Sequence, residues 1–302
     1  MTLGQLVDRF ESAERSIVVV NRSDPDPVRN MLVETFGDGT VRVTEEDLRG
    51  DGGAAADVLE AIAAGGSVEA DTLSFGDGVG DDVANAENLV LLIEGDEVVA
   101  GSTLEELGDA ILFVNSDLYT TGARGLDDLE LPSVITGLDD TVFTLRGYPE
   151  SNRQKLLLIT VSRFIERAAL TAGSGTLRSS FQRLSRLEDE LGTRRVYDRV
   201  ASDGIDTHLY GVPDDPPTDL GATIHGGRSS DFTKSWFVVF DPPDGPRVVD
   251  AETDLERAAD GGVGLLAVET EPRVWRGVWT FDPDRLTAIN RYIRRNLSAA
   301  GG

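Results

Sequence analysis

The order of apolar and polar residues predicts alternating helices and strands in the first half of the chain. Residues 17–20 form an apolar, β-branched run that ends at a Ser-Asp-Pro turn signal, as expected for a buried strand. Residues 89–93 and 98–100 flank a Gly-Asp pair and predict a β-hairpin. The remaining predicted elements are helices over 4–12, 28–36, 54–64, 104–107 and 131–138, and strands over 40–43, 111–114 and 142–145.

The second half begins with the strongest helical pattern in the chain, over residues 151–171. Its apolar face is formed by Leu157, Val161, Phe164, Ile165 and Ala168, which recur at helical spacing. Near the end, Asp282-Pro283 combines an N-cap residue with a proline at the first helical position and predicts a final helix. The other predicted elements are helices over 176–191 and 194–201, and strands over 207–210, 222–225, 236–240, 265–269 and 274–281.

These elements together predict a mixed α/β fold with a largely antiparallel sheet flanked by helices. We expect residues 1–147 to form a smaller α/β region and residues 148–302 to form a second domain. The sequence leaves open whether the two regions share one sheet.

The chain carries a strong excess of acidic side chains. It has 54 Asp and Glu against 28 Lys and Arg, a formal net charge of −26, and its only lysines are Lys155 and Lys234. Such self-repulsion destabilises a compact chain, whereas molar salt shortens the screening length to about 3 Å. The composition therefore indicates a cytoplasmic protein of an extreme halophile. It disfavours nucleic-acid binding, because phosphates would be repelled.

The residue inventory excludes several catalytic chemistries. The absence of cysteine excludes disulfides, thiolate metal sites and thiol catalysis. The two histidines, His208 and His225, are too few for a histidine-rich metal site, and a lone strand histidine is more often structural than catalytic. We find no nucleophile-elbow, Walker or dinucleotide-binding motif, no signal-peptide pattern and no apolar run of membrane-spanning length. We therefore expect a protein without enzymatic activity.

Several segments of the second half match a known sensory family in their order and spacing. They are GTLRSSFQ at 175–182, RVYD at 195–198, HLYGVP at 208–213, SWFVVF at 235–240, AVE at 267–269 and WTFD at 279–282. Through them, residues 150–297 resemble the DICT sensory domain of diguanylate cyclases and two-component systems, in a stand-alone haloarchaeal form. Residues 1–145 carry no such resemblance.

The resemblance implies a sensory or adaptor role in signal transduction. DICT domains occur beside histidine kinases, diguanylate cyclases and DNA-binding regulators, so the implied partner is a signalling protein such as a histidine kinase or a transcription regulator. This sequence shows no kinase, cyclase or helix-turn-helix segment and would therefore act by binding another chain. The resemblance identifies neither a ligand nor a cofactor, and self-association stays open.

Basic residues are concentrated between residues 151 and 200. They are Arg153, Lys155, Arg163, Arg167, Arg178, Arg183, Arg186, Arg194, Arg195 and Arg199. In one interpretation they pair with acidic residues from elsewhere in the chain. In the other they form a surface for an acidic partner or an anionic ligand, because the planar guanidinium binds carboxylate or phosphate bidentately. The candidate partner-binding residues are Arg183, Arg186, Arg194 and Arg195.

Aromatic residues cluster in the DICT-like half, which contains all three tryptophans. They form either a core under the sheet or the walls of a small-molecule pocket, in which Gln182 and Glu269 would supply polar groups. The candidate ligand-binding residues are Arg178, Phe181, Gln182, Tyr210, Trp236, Glu269 and Trp279.

The segment Gly173-Ser174-Gly175-Thr176 offers an alternative function. It precedes the predicted helix over 176–191, and free N–H groups at a helix N-terminus favour an anion. With Arg178 in the first turn, the segment from Gly173 to Arg178 would bind a nucleotide or another anion. The alternative function is therefore a nucleotide- or anion-binding protein, or an enzyme that uses this turn. The competing interpretation is an ordinary capped turn between two helices.

Overall fold

The structure is a computed structural model that describes most of the chain. The described residues are 1–23, 27–36, 41–46, 87–94, 97–116, 126, 131–146, 152–189 and 191–298. The predicted helix over 54–64, the hairpin turn at 95–96 and the expected domain boundary at 147–148 lie outside them, as does the side chain of Arg153.

The first half contains five strands and four helices within the described residues. In chain order they are α1 (Leu3–Val7), β1 (Arg15–Val20), α2 (Pro27–Phe36), β2 (Val41–Glu46), β3 (Leu89–Glu94), β4 (Glu97–Thr103), α3 (Leu104–Ser116), α4 (Ser133–Thr136) and β5 (Phe143–Arg146). The predicted hairpin is confirmed, because β3 and β4 pair antiparallel.

The second half contains the remaining elements. They are α5 (Asn152–Ala172), β6 (Thr176–Arg183), α6 (Arg186–Asp189), α7 (Leu191–Ser202), β7 (Asp206–Val212), β8 (Thr223–Gly226), α8 (Ser230–Thr233), β9 (Ser235–Asp241), α9 (Asp254–Gly261), β10 (Val263–Glu271), β11 (Val274–Thr280) and α10 (Pro283–Asn296).

The chain divides into two compact units. The smaller unit comprises residues 12–112 and 131–144, and the larger comprises residues 1–11, 113–130 and 145–302. In the smaller unit, four strands form a sheet in the order β2-β1-β3-β4, with β1 and β2 parallel. Its core includes Ile17, Leu32 and Leu92, which are fully buried.

A seven-stranded sheet forms the centre of the larger unit, in the order β5-β11-β10-β9-β6-β7-β8. The strand pairs from β11 through β6 are antiparallel, and β6, β7 and β8 are mutually parallel. The described strands therefore form two separate sheets, and the predicted mixed α/β class with a largely antiparallel sheet is confirmed.

Helices cover both faces of this sheet. On one face, α1 and α10 pack on β9 and β10, and the core between them includes Leu6, Phe237 and Ile289. On the other face, α5 packs on β9 and β10 and contacts α9, while α7 packs on β7. This arrangement makes the N-terminal helix α1 part of the larger unit.

One predicted helix in the second half is a strand. Residues 176–183 form β6, which pairs with β9 on one side and β7 on the other. The sequence Leu-Arg-Ser-Ser-Phe-Gln also alternates with a period of two, and pairing on both sides of a strand outweighs weak local helical preference. The Gly-Ser-Gly turn therefore precedes a strand, and the helix N-terminus expected to bind an anion is absent there.

One predicted strand in the first half is a helix. Residues 111–114 belong to α3, which begins after Thr103 with reciprocal bonds between Thr103 and Glu106. This capping box fixes the helix start. A short apolar run such as Ile-Leu-Phe-Val fits a strand or a buried helix equally well, so periodicity alone misassigned it.

The final helix begins as the sequence predicts. The Asp282 carboxylate accepts a hydrogen bond from the Arg285 backbone N–H at 2.8 Å, and Pro283 is the first helical residue. Helix α9, which the sequence analysis missed, begins with a capping box between Thr253 and Glu256. Among the described residues, no helix is both long and apolar enough to cross a membrane.

Candidate functional site

A pocket of about 250 Å³ lies in the larger unit between α5, α7, β6 and β9. We call it the β6 pocket, because three consecutive β6 residues, Ser180, Phe181 and Gln182, line it. Neighbouring side chains of a regular strand point to opposite faces. Here the register of β6 against β7 shifts between Ser180 and Arg183, and Gln182 has a left-handed φ of 53°. This bulge interrupts the regular alternation of the strand where three consecutive residues border one pocket.

Aromatic rings form part of the pocket wall. Phe181 and Tyr197 meet edge to face, with ring centroids 5.2 Å apart. Trp236 is partly exposed, and its indole N–H donates a hydrogen bond to the Ser162 hydroxyl at 3.2 Å. The indole is therefore held in place by a polar contact while its ring borders the pocket.

A buried ion pair lies beside these rings. Arg163, whose side chain is 10% exposed, is paired with Glu166, whose side chain is 2% exposed. The Arg163 guanidinium also donates a 2.7 Å hydrogen bond to the Thr193 hydroxyl. Burial and the nearby Glu166 charge raise the pKa of the Tyr197 phenol well above its ordinary value, so Tyr197 is neutral at physiological pH. This part of the pocket wall therefore contains an ion pair whose charges neutralise each other, together with several polar groups.

Gln182 links the pocket to a candidate partner-binding residue. Its amide nitrogen donates to the Ser235 carbonyl at 2.7 Å, and its amide oxygen accepts a hydrogen bond from Arg186. Arg186 is exposed and also lines the pocket. The strained backbone at Gln182 is thus held by two side-chain contacts.

Three of the predicted ligand-binding residues, Phe181, Gln182 and Trp236, come together in the β6 pocket. Arg178 and Tyr210 lie on the opposite face of the sheet, where Arg178 donates to Asn290 at 3.4 Å and the Tyr210 hydroxyl lies 3.0 Å from the Ser298 hydroxyl.

The last two predicted ligand-binding residues have structural contacts elsewhere. The Glu269 carboxylate accepts a hydrogen bond from the Arg273 backbone N–H at 3.0 Å and lies 3.5 Å from the Lys234 amine. It therefore stabilises the turn between β10 and β11. Trp279, on β11, is 2% exposed and is packed in the protein interior.

The predicted partner-binding arginines have different environments. Arg194 is paired with Glu188, Asp198 and Asp219, and the Asp219 contact above all raises the pKa of Arg194 further above its ordinary value.

Arg183 and Arg195 are both exposed, and Arg183 lies 3.3 Å from Asp214. Backbone and side-chain hydrogen bonds from Ser185 lower the pKa of Asp214 well below its ordinary value, so it stays charged beside Arg183. Pairing within the chain therefore accounts for Arg183 and Arg194.

The sequence analysis missed the α5 and α7 side of the pocket. Arg163 and Glu166 are three residues apart on α5, within a largely apolar stretch. A polar pair at that spacing inside a buried helix was the available signal. The contribution of Tyr197 could not be predicted, because it depends on how α7 packs.

A second cluster that the sequence analysis missed contains both histidines. His208 and His225 are stacked with ring centroids 5.1 Å apart, and Tyr210 stacks on His225 at 4.5 Å. Nε2 of His208 lies 3.0 Å from an Asp206 carboxylate oxygen. Within the described ranges, no group of three or more acidic or histidine side chains is arranged to hold a metal ion.

Comparisons with known proteins identify no family. No family model matches the sequence, and no curated protein matches it either. Among solved structures, polyphosphate kinase from Porphyromonas gingivalis matches with a TM-score of 0.30 and 10% sequence identity. The match covers 97% of this chain and 44% of the kinase chain. A similarity at this level supports no functional argument.

Proposed function

We propose that this chain is a non-enzymatic sensory module of a signal-transduction system that binds a small ligand in the β6 pocket. The observation that carries the proposal is the bulge at Gln182, which brings Ser180, Phe181 and Gln182 to one pocket. A residue held in the left-handed region without being glycine costs free energy, and such strain is concentrated at functional sites. The resemblance of the second half to DICT sensory domains supports a sensory role.

The pocket lining favours a small, planar ligand with hydrogen-bonding groups. Its volume of about 250 Å³ is slightly below the range of roughly 300–1,000 Å³ for drug-sized ligands. The Phe181 and Trp236 rings offer surfaces for stacking, which aromatic ligands use. The compensated Arg163–Glu166 pair disfavours a highly charged ligand at the inner wall.

Helix α7 connects the pocket with a surface for a signalling partner. Thr193 and Tyr197 line the pocket, while Arg195 on the same helix is exposed. A ligand that shifts α7 would therefore change how Arg195 is presented. An acidic segment of a histidine kinase or a transcription regulator is the partner chemistry that fits this residue.

The first experiment identifies compounds that remain bound to the protein. The chain and two variants, Trp236→Leu and Trp275→Leu, are purified in molar KCl, and small molecules extracted from each are compared by mass spectrometry. Trp236 lines the pocket, whereas Trp275 is a buried tryptophan that does not. A compound that accompanies the wild type and Trp275→Leu, but not Trp236→Leu, is expected. Loss of the compound from both variants would indicate general destabilisation and contradict the assignment to this pocket.

The second experiment tests the partner. The chain is used as bait at molar KCl beside Arg195→Glu, with Arg228→Glu as a control that reverses the charge of another exposed arginine. A signalling protein retained by the wild type and Arg228→Glu, but lost with Arg195→Glu, is the expected result. Retention by all three proteins would exclude Arg195 from the interface.

A further inference from the structure

The larger unit has a second cavity, about 530 Å³, between α10 and the loop that follows β9. We call it the α10 cleft and define it by Asp241, Asn290, Arg291, Arg294 and Arg295, which line it. None of these residues was predicted as a site from the sequence. None of them lines the β6 pocket.

The three arginines of the cleft differ from several other arginines of this acidic chain. Arg291, Arg294 and Arg295 are exposed. Counting only described residues, none of the three has a carboxylate within 4 Å, whereas Arg163, Arg183 and Arg194 all do. Basic residues near the end of a helix are stabilised by its dipole, which accounts for Arg294 and Arg295. The dipole does not account for the buried polar side chain at the floor of the cleft.

That floor contains a buried amide with an unused donor. Asn290 is 5% exposed, and its side-chain oxygen accepts a hydrogen bond from Arg178 at 3.4 Å. Because a guanidinium can only donate, this contact fixes which end of the amide faces Arg178. The Asn290 amide nitrogen has no hydrogen-bond partner in the described part of the chain. A buried donor without a partner is costly, and a ligand acceptor in the cleft would satisfy it.

An unused acceptor lies on the facing wall. Asp241 is partly buried, and its Oδ1 atom has no hydrogen-bond partner among the described residues. Burial raises the pKa of Asp241, while the charges of Arg178 and Arg294 oppose that rise. The cleft therefore presents cationic donors, one neutral donor and one acceptor.

We propose that the α10 cleft binds a small phosphorylated compound that also carries hydroxyl groups. A phosphate has enough acceptor oxygens to engage several arginines and the Asn290 amide at once, which a single carboxylate does not. A hydroxyl of the same ligand donates to Asp241. This site goes beyond the proposed sensory function, because it uses none of the residues of the β6 pocket.

Ribose 5-phosphate is the probe, and calorimetric titration of the full chain in KCl is the measurement. Ribose supplies the hydroxyls without the phosphate, and inorganic phosphate supplies the anion without the sugar. Saturable binding of ribose 5-phosphate, at least tenfold tighter than that of ribose, is expected. Raising the KCl concentration should weaken it, because the contact is largely ionic. No saturable binding of ribose 5-phosphate or of phosphate would overturn the proposal.

Variants separate the two ends of the site. Arg294→Ala should weaken binding of both phosphate-bearing probes at least fivefold, whereas Arg228→Ala, which removes an exposed arginine outside the cleft, should leave it unchanged. Asp241→Ala should weaken ribose 5-phosphate and leave inorganic phosphate as tight or tighter, since a repelling carboxylate is removed. Equal effects of Arg294→Ala and Arg228→Ala would show general charge attraction and overturn the site. An Asp241→Ala variant that binds both probes like the wild type would overturn the hydroxyl contact.

Discussion

The Nδ1 atom of His208 lies 2.8 Å from the Nε2 atom of His225, so the only two histidines of the chain form one stacked pair. The parallel register of β7 and β8 creates this contact, since Tyr210 lies opposite His225 and His208 precedes Tyr210 on the same face. In an N–H···N contact one nitrogen donates and the other accepts. The contact therefore requires that at least one facing nitrogen is unprotonated.

We expect this pair to make stability depend on pH. Burial above all, with the charges of His208 and Arg178, lowers the pKa of His225 to about 4, below the ordinary value of 6.5. Between these values the unfolded chain binds a proton that the folded chain does not, so the free energy of unfolding falls as the pH falls. Urea unfolding at fixed KCl should show a loss of about 2 kcal/mol from this group between pH 7 and pH 5.

His225→Gln isolates this effect from the many carboxylates of the chain. Those groups titrate in both proteins, so the difference in unfolding free energy between the wild type and the variant reports on His225. The difference should shrink as the pH falls from 7 to 5. A difference that is constant over this range would show that His225 is not the source.

The sequence predicted features that depend on adjacent residues better than features that depend on residues far apart in the chain. The start of α10 at Asp282 was predictable, because a cap and its proline are adjacent in sequence. Strand β6 was not, because Thr176–Arg183 carries both periodicities and its neighbours on either side decide between them. Phe181, Gln182 and Trp236, which the sequence analysis grouped as candidates, all line the β6 pocket. Arg178 and Tyr210 were grouped with them but lie on the opposite face of the sheet. The sequence could not separate the two sets, because the face to which each side chain points depends on strand register.

The two glycines of the Gly-Ser-Gly turn before β6 should differ in how strongly a substitution by alanine lowers stability. A Cβ atom at Gly175 would lie 2.7 Å from the Asp241 carbonyl oxygen and 2.9 Å from the Phe240 ring, at a φ of 115°. At Gly173, with a φ of 64°, a Cβ atom would meet nothing within 4 Å. Gly173→Ala should therefore cost about 1 kcal/mol and Gly175→Ala about 3 kcal/mol or more.

Urea unfolding of the two variants at equal KCl measures this difference. Equal losses of unfolding free energy would show that the close approach of β6 to Asp241 is not as tight as the backbone positions indicate.

The cap of α10 provides a local test of the final helix. Asp282→Ala removes the acceptor for the Arg285 N–H and should cost about 1 kcal/mol. Asp284→Ala, in the first turn of the same helix, removes a charge without removing a cap, and molar KCl screens the interaction of that charge with the helix dipole. Thermal unfolding should therefore show a clearly larger loss for Asp282→Ala. The reverse order would contradict a capping role for Asp282.

The intact Arg163–Glu166 pair should contribute little to the free energy of unfolding, whereas removal of one partner should lower it substantially. Both side chains are buried, so removing one leaves the other charge uncompensated, which typically costs about 3–5 kcal/mol. Arg163→Met and Glu166→Met should each be destabilising by about that amount, whereas the double variant should be close to the wild type, because a neutral apolar pair carries no desolvation cost. A double-mutant cycle by urea unfolding measures the coupling. Additive losses would show that the two charges do not act as a unit. They would also contradict the neutralised ion pair in the wall of the β6 pocket, from which the ligand chemistry was inferred.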